Sequence, residues 1–257
     1  MTKKEIVQTY KEQKSVLYQT FKTQKAKLNA DFNAQLEAYR TQEGKPAVIE
    51  PPKRPVLEEI GNSVTHGLGA IFAVVAYILM LISADTAKEV VAASIYFFGL
   101  LTMMTMSCLY HAFKHGSTVK RVFRRFDYSS IYLLIGATFA PILLCYIGGT
   151  FGTVFLIIQW LIIATGITFV AIFGPAKLKG LHMTLYIVLG WSGLMFFPQM
   201  LNGNLGFFLF ILLGGVIYSL GIIPFSLKKK SSHFIWHFFV LGGAIVQWLG
   251  IYLYIYL

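Results

Sequence analysis

Three histidines in this sequence have neighbours at a spacing that suits metal chemistry. His233 and His237 are four residues apart, so on a helix both imidazoles lie on one face and can hold the same ion. Ser107 and His111 have the same spacing. Asp127 is the single acidic residue after Glu89. Three imidazoles with one open position describe a catalytic zinc site, so the predicted ligands are His111, His233 and His237.

Asp127 and Ser107, which are not predicted ligands, indicate what reaction the metal site could catalyse. Asp127 could orient a water molecule or take its proton, and Ser107 could donate a hydrogen bond to a developing oxyanion. Zinc is favoured over iron or manganese because the set has three imidazoles and no cluster of carboxylates. The pattern therefore predicts metal-assisted hydrolysis, with Asp127 and Ser107 as the catalytic side chains.

A third polar set recurs every four positions and leads into an apolar run: Glu58, Asn62 and His66. Together with the adjacent Glu59, these side chains could support a metal ligand from outside the coordination shell. Two other histidines have simpler interpretations. His182 is expected at the water interface because it lies close to Lys179, and His115 lies in a basic loop.

The elements that would position these groups are membrane-spanning helices. Hydrophobic residues make up 56% of the sequence and charged residues only 13%, against about 25% charged in a soluble domain. Seven apolar runs each approach the roughly 20 residues needed to span hydrocarbon. They are Thr65–Ser83, Val90–Ala112, Tyr128–Ile147, Phe151–Phe173, Leu181–Met200, Leu205–Phe225 and His233–Tyr256. The prediction is an all-α integral membrane protein, a bundle of seven transmembrane helices.

Basic residues fall in alternate loops of this bundle. The segment before the first run is strongly basic, and every second loop after it contains lysine or arginine: Lys114, Lys120, Arg121, Arg124, Arg125, Lys177, Lys179, Lys228, Lys229 and Lys230. The intervening loops contain only Lys88. Because positively charged loops remain in the cytoplasm, we expect a cytoplasmic N-terminus and an outer C-terminus. The candidate polar groups then share one level, the inner rim of the membrane.

Residues 3–42 are polar, with apolar side chains on one helical face: Tyr10, Leu17, Phe21, Leu28, Phe32, Leu36 and Tyr39. This spacing predicts a long amphipathic helix that pairs with a second copy, binds a protein partner or lies on an anionic membrane surface. A solvated tail without a partner is the open alternative. We divide the chain into this helix (1–45), a linker (46–57) that contains Pro46, Pro51, Pro52 and Pro55, and a membrane domain (58–257).

Several classes of function are excluded. The net charge of +11 does not indicate nucleic-acid binding, because the basic residues lie in the N-terminal segment and in short loops. No phosphate-binding loop, dinucleotide fingerprint or nucleophile elbow is present in the sequence. No polar ladder continues towards the outer half, which argues against a channel or transporter.

Four stretches resemble the motifs of one family, the hemolysin III proteins, which are bacterial relatives of the progestin and adipoQ receptors. The stretches are EEIGNSVTHGLG at 58–69, SCLYH at 107–111, RRFDYSSIYLLI at 124–135 and HFIWHFFVLGGAIVQW at 233–248. The resemblance covers about residues 55–257 and leaves the N-terminal helix outside.

This resemblance implies seven helices with the N-terminus inside, and a zinc ion held by one histidine of the second helix and two of the seventh. Carried over, those ligands are His111, His233 and His237, with Asp127 and Ser107 adjacent. The sequence departs from many bacterial members at Gln247, where they have a further histidine. Gln247 lies ten residues beyond His237, so this departure should not affect the zinc.

Kinship to membrane hydrolases of lipid amides, including alkaline ceramidases, is also implied. We therefore expect a zinc-dependent hydrolase of lipid acyl or amide bonds at the cytoplasmic leaflet of the bacterial plasma membrane, with a membrane lipid as substrate or ligand. The alternative is a receptor-like sensor of membrane-lipid homeostasis, in which zinc is structural and the N-terminal helix passes the signal to a partner.

Overall fold

The computed structural model of the protein describes residues 2–42, 49–227 and 229–257. These residues form helices and connecting turns, with no β-strand among them. The chain divides into two compact units, Met1–Glu50 and Pro51–Leu257. Pro46, together with the predicted boundary between N-terminal helix and linker, lies outside the described residues, as does Lys228 of the last basic loop.

The N-terminal unit contains one long helix, α1 (Lys3–Gln42), as the apolar spacing predicts. Its first turn is capped reciprocally, because the Glu5 side chain accepts from the Thr2 backbone (2.8 Å) and Thr2 Oγ1 accepts from the Glu5 backbone (3.3 Å). The apolar face remains exposed along its whole length: Tyr10, Leu17, Phe21, Leu28, Phe32, Leu36 and Tyr39. Its pairing with a second copy, a partner or a membrane stays a prediction.

Among the described residues of the second unit, seven helical spans are long and apolar enough to cross a membrane, which confirms the predicted seven-transmembrane architecture. The first four spans are α2 (Val56–Ile82), α3 (Ala87–Ala112), α4 (Thr118–Pro141) with a π-helical turn at Ile142–Ile147, and α5 (Gly149–Phe173). The fifth combines α6 (Lys179–Trp191), a 3-10 turn (Ser192–Phe196) and α7 (Phe197–Gly203). The last two are α8 (Leu205–Ser226) and α9 (Ser232–Ile251), with a final π-helical turn at Tyr252–Tyr256.

Two spans begin nine or ten residues earlier than their apolar runs predicted. Helix α2 begins at Val56 instead of Thr65, and α4 begins at Thr118 instead of Tyr128. The start of α4 is fixed by Ser117, whose hydroxyl accepts a hydrogen bond from the Lys120 backbone at 3.1 Å. Much of the predicted basic loop at 114–125 is therefore the first two turns of α4.

A single residue, Gly148, connects the third and fourth spans. Gly148 and Gly149 both have positive φ values, 65° and 64°, a region that side chains with a Cβ rarely adopt. The chain can therefore reverse within two residues. This explains why so few polar residues separate the two apolar runs.

The packing of the helices brings four of their ends together. Helix α2 packs against both α3 and α9, α3 packs against α4, and α8 packs against α9. The contact between α3 and α4 is close, since a side chain at Gly99 would collide with Ala137 and with the Leu133 carbonyl. As a result, the end of α3 meets the starts of α2, α4 and α9, and the predicted site residues lie on these four ends.

Candidate metal centre

Three histidine side chains converge at this end of the bundle. His111 lies at the end of α3, and His233 and His237 lie in the first two turns of α9. Nε2 of His233 is 3.3 Å from Nε2 of His111 and 3.3 Å from Nε2 of His237. One ligand atom from each of the three lies within 4.8 Å of the others, so the group could hold a metal ion.

The spacing of these nitrogens fits a tetrahedral ion. Two imidazole nitrogens at about 2.0–2.1 Å from a tetrahedral zinc are about 3.3–3.4 Å apart, the separation seen in both pairs. Like nitrogens at this distance need either a proton or a shared cation between them. Of the three imidazoles, those of His111 and His237 are buried and that of His233 is half-buried.

Glu59 of α2 fixes the orientation of one ring. Its Oε2 lies 2.5 Å from Nδ1 of His111. A proton on Nδ1 donates to this carboxylate, which leaves the lone pair of Nε2 for a metal and makes it more basic. The Asn62 side-chain nitrogen lies 3.3 Å from the same Nδ1. The sequence alone left Glu58 and Glu59 as alternatives for such a role, and the structure brings Glu59 to the ring.

Lys120 completes this arrangement and was missed by sequence reasoning, which placed it in a loop. It is buried, with 1% exposure, and its Nζ lies 3.0 Å from Glu59 Oε1, from the Tyr110 carbonyl and from the Phe113 carbonyl. Its three protons therefore have three acceptors, as a buried ammonium requires. Because two of these are carbonyls at the end of α3, Lys120 holds the turn that contains His111.

Glu58 and His66, the other residues predicted to support a ligand, lie nearby but do not hydrogen-bond to a ligand ring as Glu59 does. Glu58 accepts a hydrogen bond from the Ser231 backbone at 3.2 Å, just before α9 begins. Ser231 has a positive φ of 62°, so Glu58 stabilises a strained turn two residues before His233. His66 stacks on the His237 ring with centroids 3.8 Å apart, and neither of its nitrogens has a hydrogen-bond partner among the described residues.

Asp127 and Ser107 form a polar pair beside the histidines. Both are buried, and the two side chains, one from α3 and one from α4, lie within reach of each other. Both side chains line one cavity, together with His66, His233 and His237. The structure thus places an acid and a hydroxyl next to the histidine group, as their predicted roles require.

Comparison with known proteins identifies the family. The model of a family described as haemolysin-III related matches residues 55–248. The chain belongs to the haemolysin-III-related family. This confirms the resemblance drawn from the four sequence stretches, and α1 lies outside the matched region.

The chain aligns with most of the length of its relatives. Hemolysin-3 of Bacillus cereus is 36% identical over 205 residues, which cover 78% of this chain and 93% of the relative. The Hemolysin-3 homolog of Bacillus subtilis (strain 168) is 33% identical over 204 residues, 77% of this chain and 95% of the relative. Monocyte to macrophage differentiation factor of Homo sapiens is 29% identical over 205 residues, 77% and 85% of the two chains.

The cavity that contains the haemolysin-III-related site is long and largely apolar. It extends from His237 to Gln247 along α9, which is about 15 Å for ten helical residues. Its far walls come from the π-helical turn after α4, from α6 and from α8, through apolar side chains such as Ile142, Ile187 and Ile211. Gln247 thus lies far from the three ligands, and the departure there leaves the histidine group intact.

One prediction about the remaining histidines was wrong. His182 was expected at the water interface, but it is fully buried and its Nδ1 lies 2.9 Å from the Tyr132 hydroxyl. The partner comes from α4, a different helix, so sequence spacing could not reveal it. His115 is exposed in the loop before α4, as predicted, and its Nε2 lies 3.0 Å from the Pro51 carbonyl.

Replacing Glu59 with glutamine should weaken metal binding without removing a ligand. The amide cannot provide the charge that stabilises the Nδ1 proton of His111, and loss of such a partner typically costs about 10–100-fold in metal affinity. Competition with a fluorescent zinc chelator measures the change in Kd. The exposed Glu12→Gln in α1 is the matched control. Equal affinities for the wild type and Glu59→Gln would contradict the assignment.

Proposed function

We propose that this haemolysin-III-related protein is a zinc-dependent hydrolase of an acyl or amide bond in a membrane lipid, acting at the cytoplasmic leaflet of a bacterial plasma membrane. The observation that carries the proposal is the meeting of three features at one cavity. These are the three convergent imidazoles, of which His233 and His237 line the cavity, a buried acid and hydroxyl that also line it, and a long apolar space beside them. Polar groups at membrane depth are costly, so their concentration at one point indicates function.

The zinc would be held by His111, His233 and His237, and the ring of His111 is fixed by Glu59. When bound, it would act as a Lewis acid that activates a water molecule at neutral pH. Three protein ligands leave the fourth position of a tetrahedral site open, as catalytic zinc sites do. This supports a catalytic over a purely structural role.

Asp127 is suited to accept the proton of the attacking water. Its carboxylate lines the cavity together with the Ser107 hydroxyl. Once Asp127 is protonated, it becomes a hydrogen-bond donor to the serine oxygen. The Ser107 proton is then released to donate to the oxyanion that develops on the substrate carbonyl.

The shape of the cavity supports a lipid as the substrate. Its length along α9 suits an extended hydrocarbon chain, and few polar side chains line it beyond the site. Helices α6 and α8 form one side of it and make only slight contact with each other. Because both are membrane-spanning segments, a chain could reach the site from the surrounding lipid.

The proposed orientation rests on the alternation of basic loops. With the N-terminus inside, the end of the bundle that contains the histidines faces the cytoplasm. The scissile bond would then lie near the inner headgroup level, where water is available.

The test is release of fatty acid by the purified full chain in lipid vesicles. We expect mass spectrometry to detect free fatty acid from at least one class among ceramides and phospholipids. Chelation should reduce release to the level without enzyme, and added zinc, but not magnesium, should restore it. A zinc-loaded protein that hydrolyses none of these lipids would contradict the proposal.

That negative result would favour a second function, a sensor of membrane lipids with a structural zinc. The observation in its favour is the exposed apolar face of α1, which forms a unit of its own. A sensor requires that deletion of residues 1–45 abolishes the effect of the protein on cellular lipid composition while zinc remains bound.

A further inference from the structure

The sequence of α1 repeats every 11 residues. The three copies are YKEQKSVLYQT at 10–20, FKTQKAKLNAD at 21–31 and FNAQLEAYRTQ at 32–42. Each copy begins with an aromatic residue, has glutamine at its fourth position and has leucine or tyrosine at its eighth. Because 11 residues are close to three turns of an α-helix, equivalent positions fall on one side of α1. The repeat therefore maintains a single face along the whole helix.

This face is a narrow apolar stripe with a different polar edge on each side. In the first copy Tyr10 and Leu17 form the stripe, and Gln13 and Lys14 border it on opposite sides. The second copy repeats the arrangement with Phe21, Leu28, Gln24 and Lys25. The apolar side chains of both copies are exposed. A stripe of exposed large apolar side chains indicates a surface that binds something.

The lysines beside the stripe keep their charges close to it. The Lys14 Nζ lies 5.9 Å from the centre of the Tyr10 ring, and the Lys25 Nζ lies 5.8 Å from the centre of the Phe21 ring. A lysine in this position can lay its methylene groups on an apolar surface and still place its ammonium group in water. This behaviour is typical of helices that lie in a membrane interface.

The charges of α1 are divided between two sides of the helix. Each lysine beside the stripe has a second lysine one turn earlier on the same edge, Lys11 or Lys22. Three of the four acidic residues of α1 lie on the side opposite the stripe: Glu5, Glu12 and Glu37. The fourth, Asp31, lies on the glutamine edge. Positive charge therefore borders the stripe along one side, which complements an anionic lipid surface.

A second copy of α1 fits this face less well. Helices with an 11-residue repeat can pair in a right-handed supercoil, with residues i, i+3, i+4 and i+7 on the paired face. In the first copy that face would bury Gln13 and Lys14 between Tyr10 and Leu17, and the second copy repeats this pattern. Burial of an amide and an ammonium group is costly. On a membrane surface the same side chains reach water.

Chain connectivity keeps α1 near a bilayer. The helix ends at Gln42, and the unit that contains the seven spans begins at Pro51. Nine residues of extended chain reach about 30 Å at most. With the spans in a membrane, the membrane surface therefore has a high local concentration around α1, so that even a narrow stripe can bind to it.

We propose that α1 lies on the anionic lipid surface of the membrane that contains the seven spans, with its apolar stripe inserted at the headgroup level and its lysine edge beside the lipid phosphates. Under the proposed orientation this is the cytoplasmic leaflet, whose surface is negatively charged. The inference is independent of the proposed hydrolase activity, because it concerns a separate unit of the chain.

A fluorescent label on two sides of the helix tests this placement. In full-length protein with Cys108→Ala and Cys145→Ala, Leu28→Cys and Ala30→Cys place an environment-sensitive dye on the stripe and about 200° around the helix from it. In vesicles of equal phosphatidylcholine and phosphatidylglycerol, the dye at position 28 should report an apolar environment and be quenched by brominated lipid chains. The dye at position 30 should report water. Phosphatidylcholine alone, or high salt, should expose the dye at position 28, because the electrostatic attraction is absent or screened.

The variant that tests the lysine edge is the double substitution Lys14→Gln and Lys25→Gln. Each lysine near an anionic surface contributes about fivefold to binding, so the ratio of bound to free α1 should fall about 30-fold. The matched control, Gln19→Glu with Thr23→Glu, changes the net charge equally on the side opposite the stripe. Its charges lie about one helix diameter, roughly 10 Å, from the surface, where salt screens them, so its ratio should fall much less.

Three results would contradict the proposal. If the dye at position 28 is shielded equally without anionic lipid and becomes exposed when the protein is diluted into excess lipid, the stripe pairs with a second copy. If the dyes at positions 28 and 30 are equally exposed in anionic vesicles, α1 does not bind the membrane. Equal losses of binding in the lysine variant and its control would show that net charge acts alone and that the lysine edge does not face the lipid.

Discussion

Replacing His233 with alanine should remove the metal from the purified protein. His233 is the central member of the group, since its Nε2 lies 3.3 Å from the Nε2 atoms of both His111 and His237. Two remaining imidazoles cannot complete the site, and we expect affinity to fall by more than about a hundredfold, beyond the cost of losing a supporting partner. Elemental analysis should give about one zinc per wild-type chain, from three imidazoles and one open position, and almost none for the variant.

His115→Ala is the matched control for this measurement. His115 is exposed in the loop after α3, and its contact is with the Pro51 carbonyl. The control removes an imidazole from the same end of the bundle without touching the cluster, and it should keep its zinc. Equal metal content in wild type and His233→Ala would show that the three histidines do not form the site.

Asp127→Asn should abolish fatty-acid release while leaving the metal in place. The amide keeps the size of the side chain and can still hydrogen-bond to Ser107, but it cannot accept a proton from water. Loss of a general base typically costs about 10²–10⁴-fold in rate. The measurements are fatty-acid release from vesicles and zinc content on the same preparation.

The control here is Asp85→Asn, which changes an exposed aspartate in the turn before α3. It should release fatty acid at the wild-type rate. If Asp127→Asn also retained this rate with zinc bound, Asp127 would have no role in proton transfer. The role proposed for Ser107, which depends on protonation of Asp127, would then be contradicted as well.

The class of fold could be predicted from the sequence because membrane spans are long and strongly apolar. The convergence of His111, His233 and His237 could also be predicted, since helices that alternate in direction bring α3's end and α9's start to one side of the membrane. Each of these inferences uses a property of whole helices: their length, their direction or the face on which a residue lies.

Details that depend on which neighbouring helix faces a residue could not be predicted. Glu58 and Glu59 differ by 100° around α2, and only packing against α3 decides that Glu59 contacts His111. The burial of Lys120 requires acceptors from two other helices, and His182 is satisfied by Tyr132 of α4. Polar residues at helix ends therefore looked like loop or interface residues in the sequence.

The ligands of the candidate site come from α3 and from α9, which are 122 residues apart in the chain. An ion that contacts all three would therefore bind only the assembled bundle and not the separate segments. By mass action, free zinc at a hundred times its Kd would add about 2.7 kcal/mol to the stability of the assembled state. The apparent melting temperature of this membrane domain would then depend on the surrounding zinc concentration. Depletion of the metal would both inactivate the site and lower the stability of the domain that contains it.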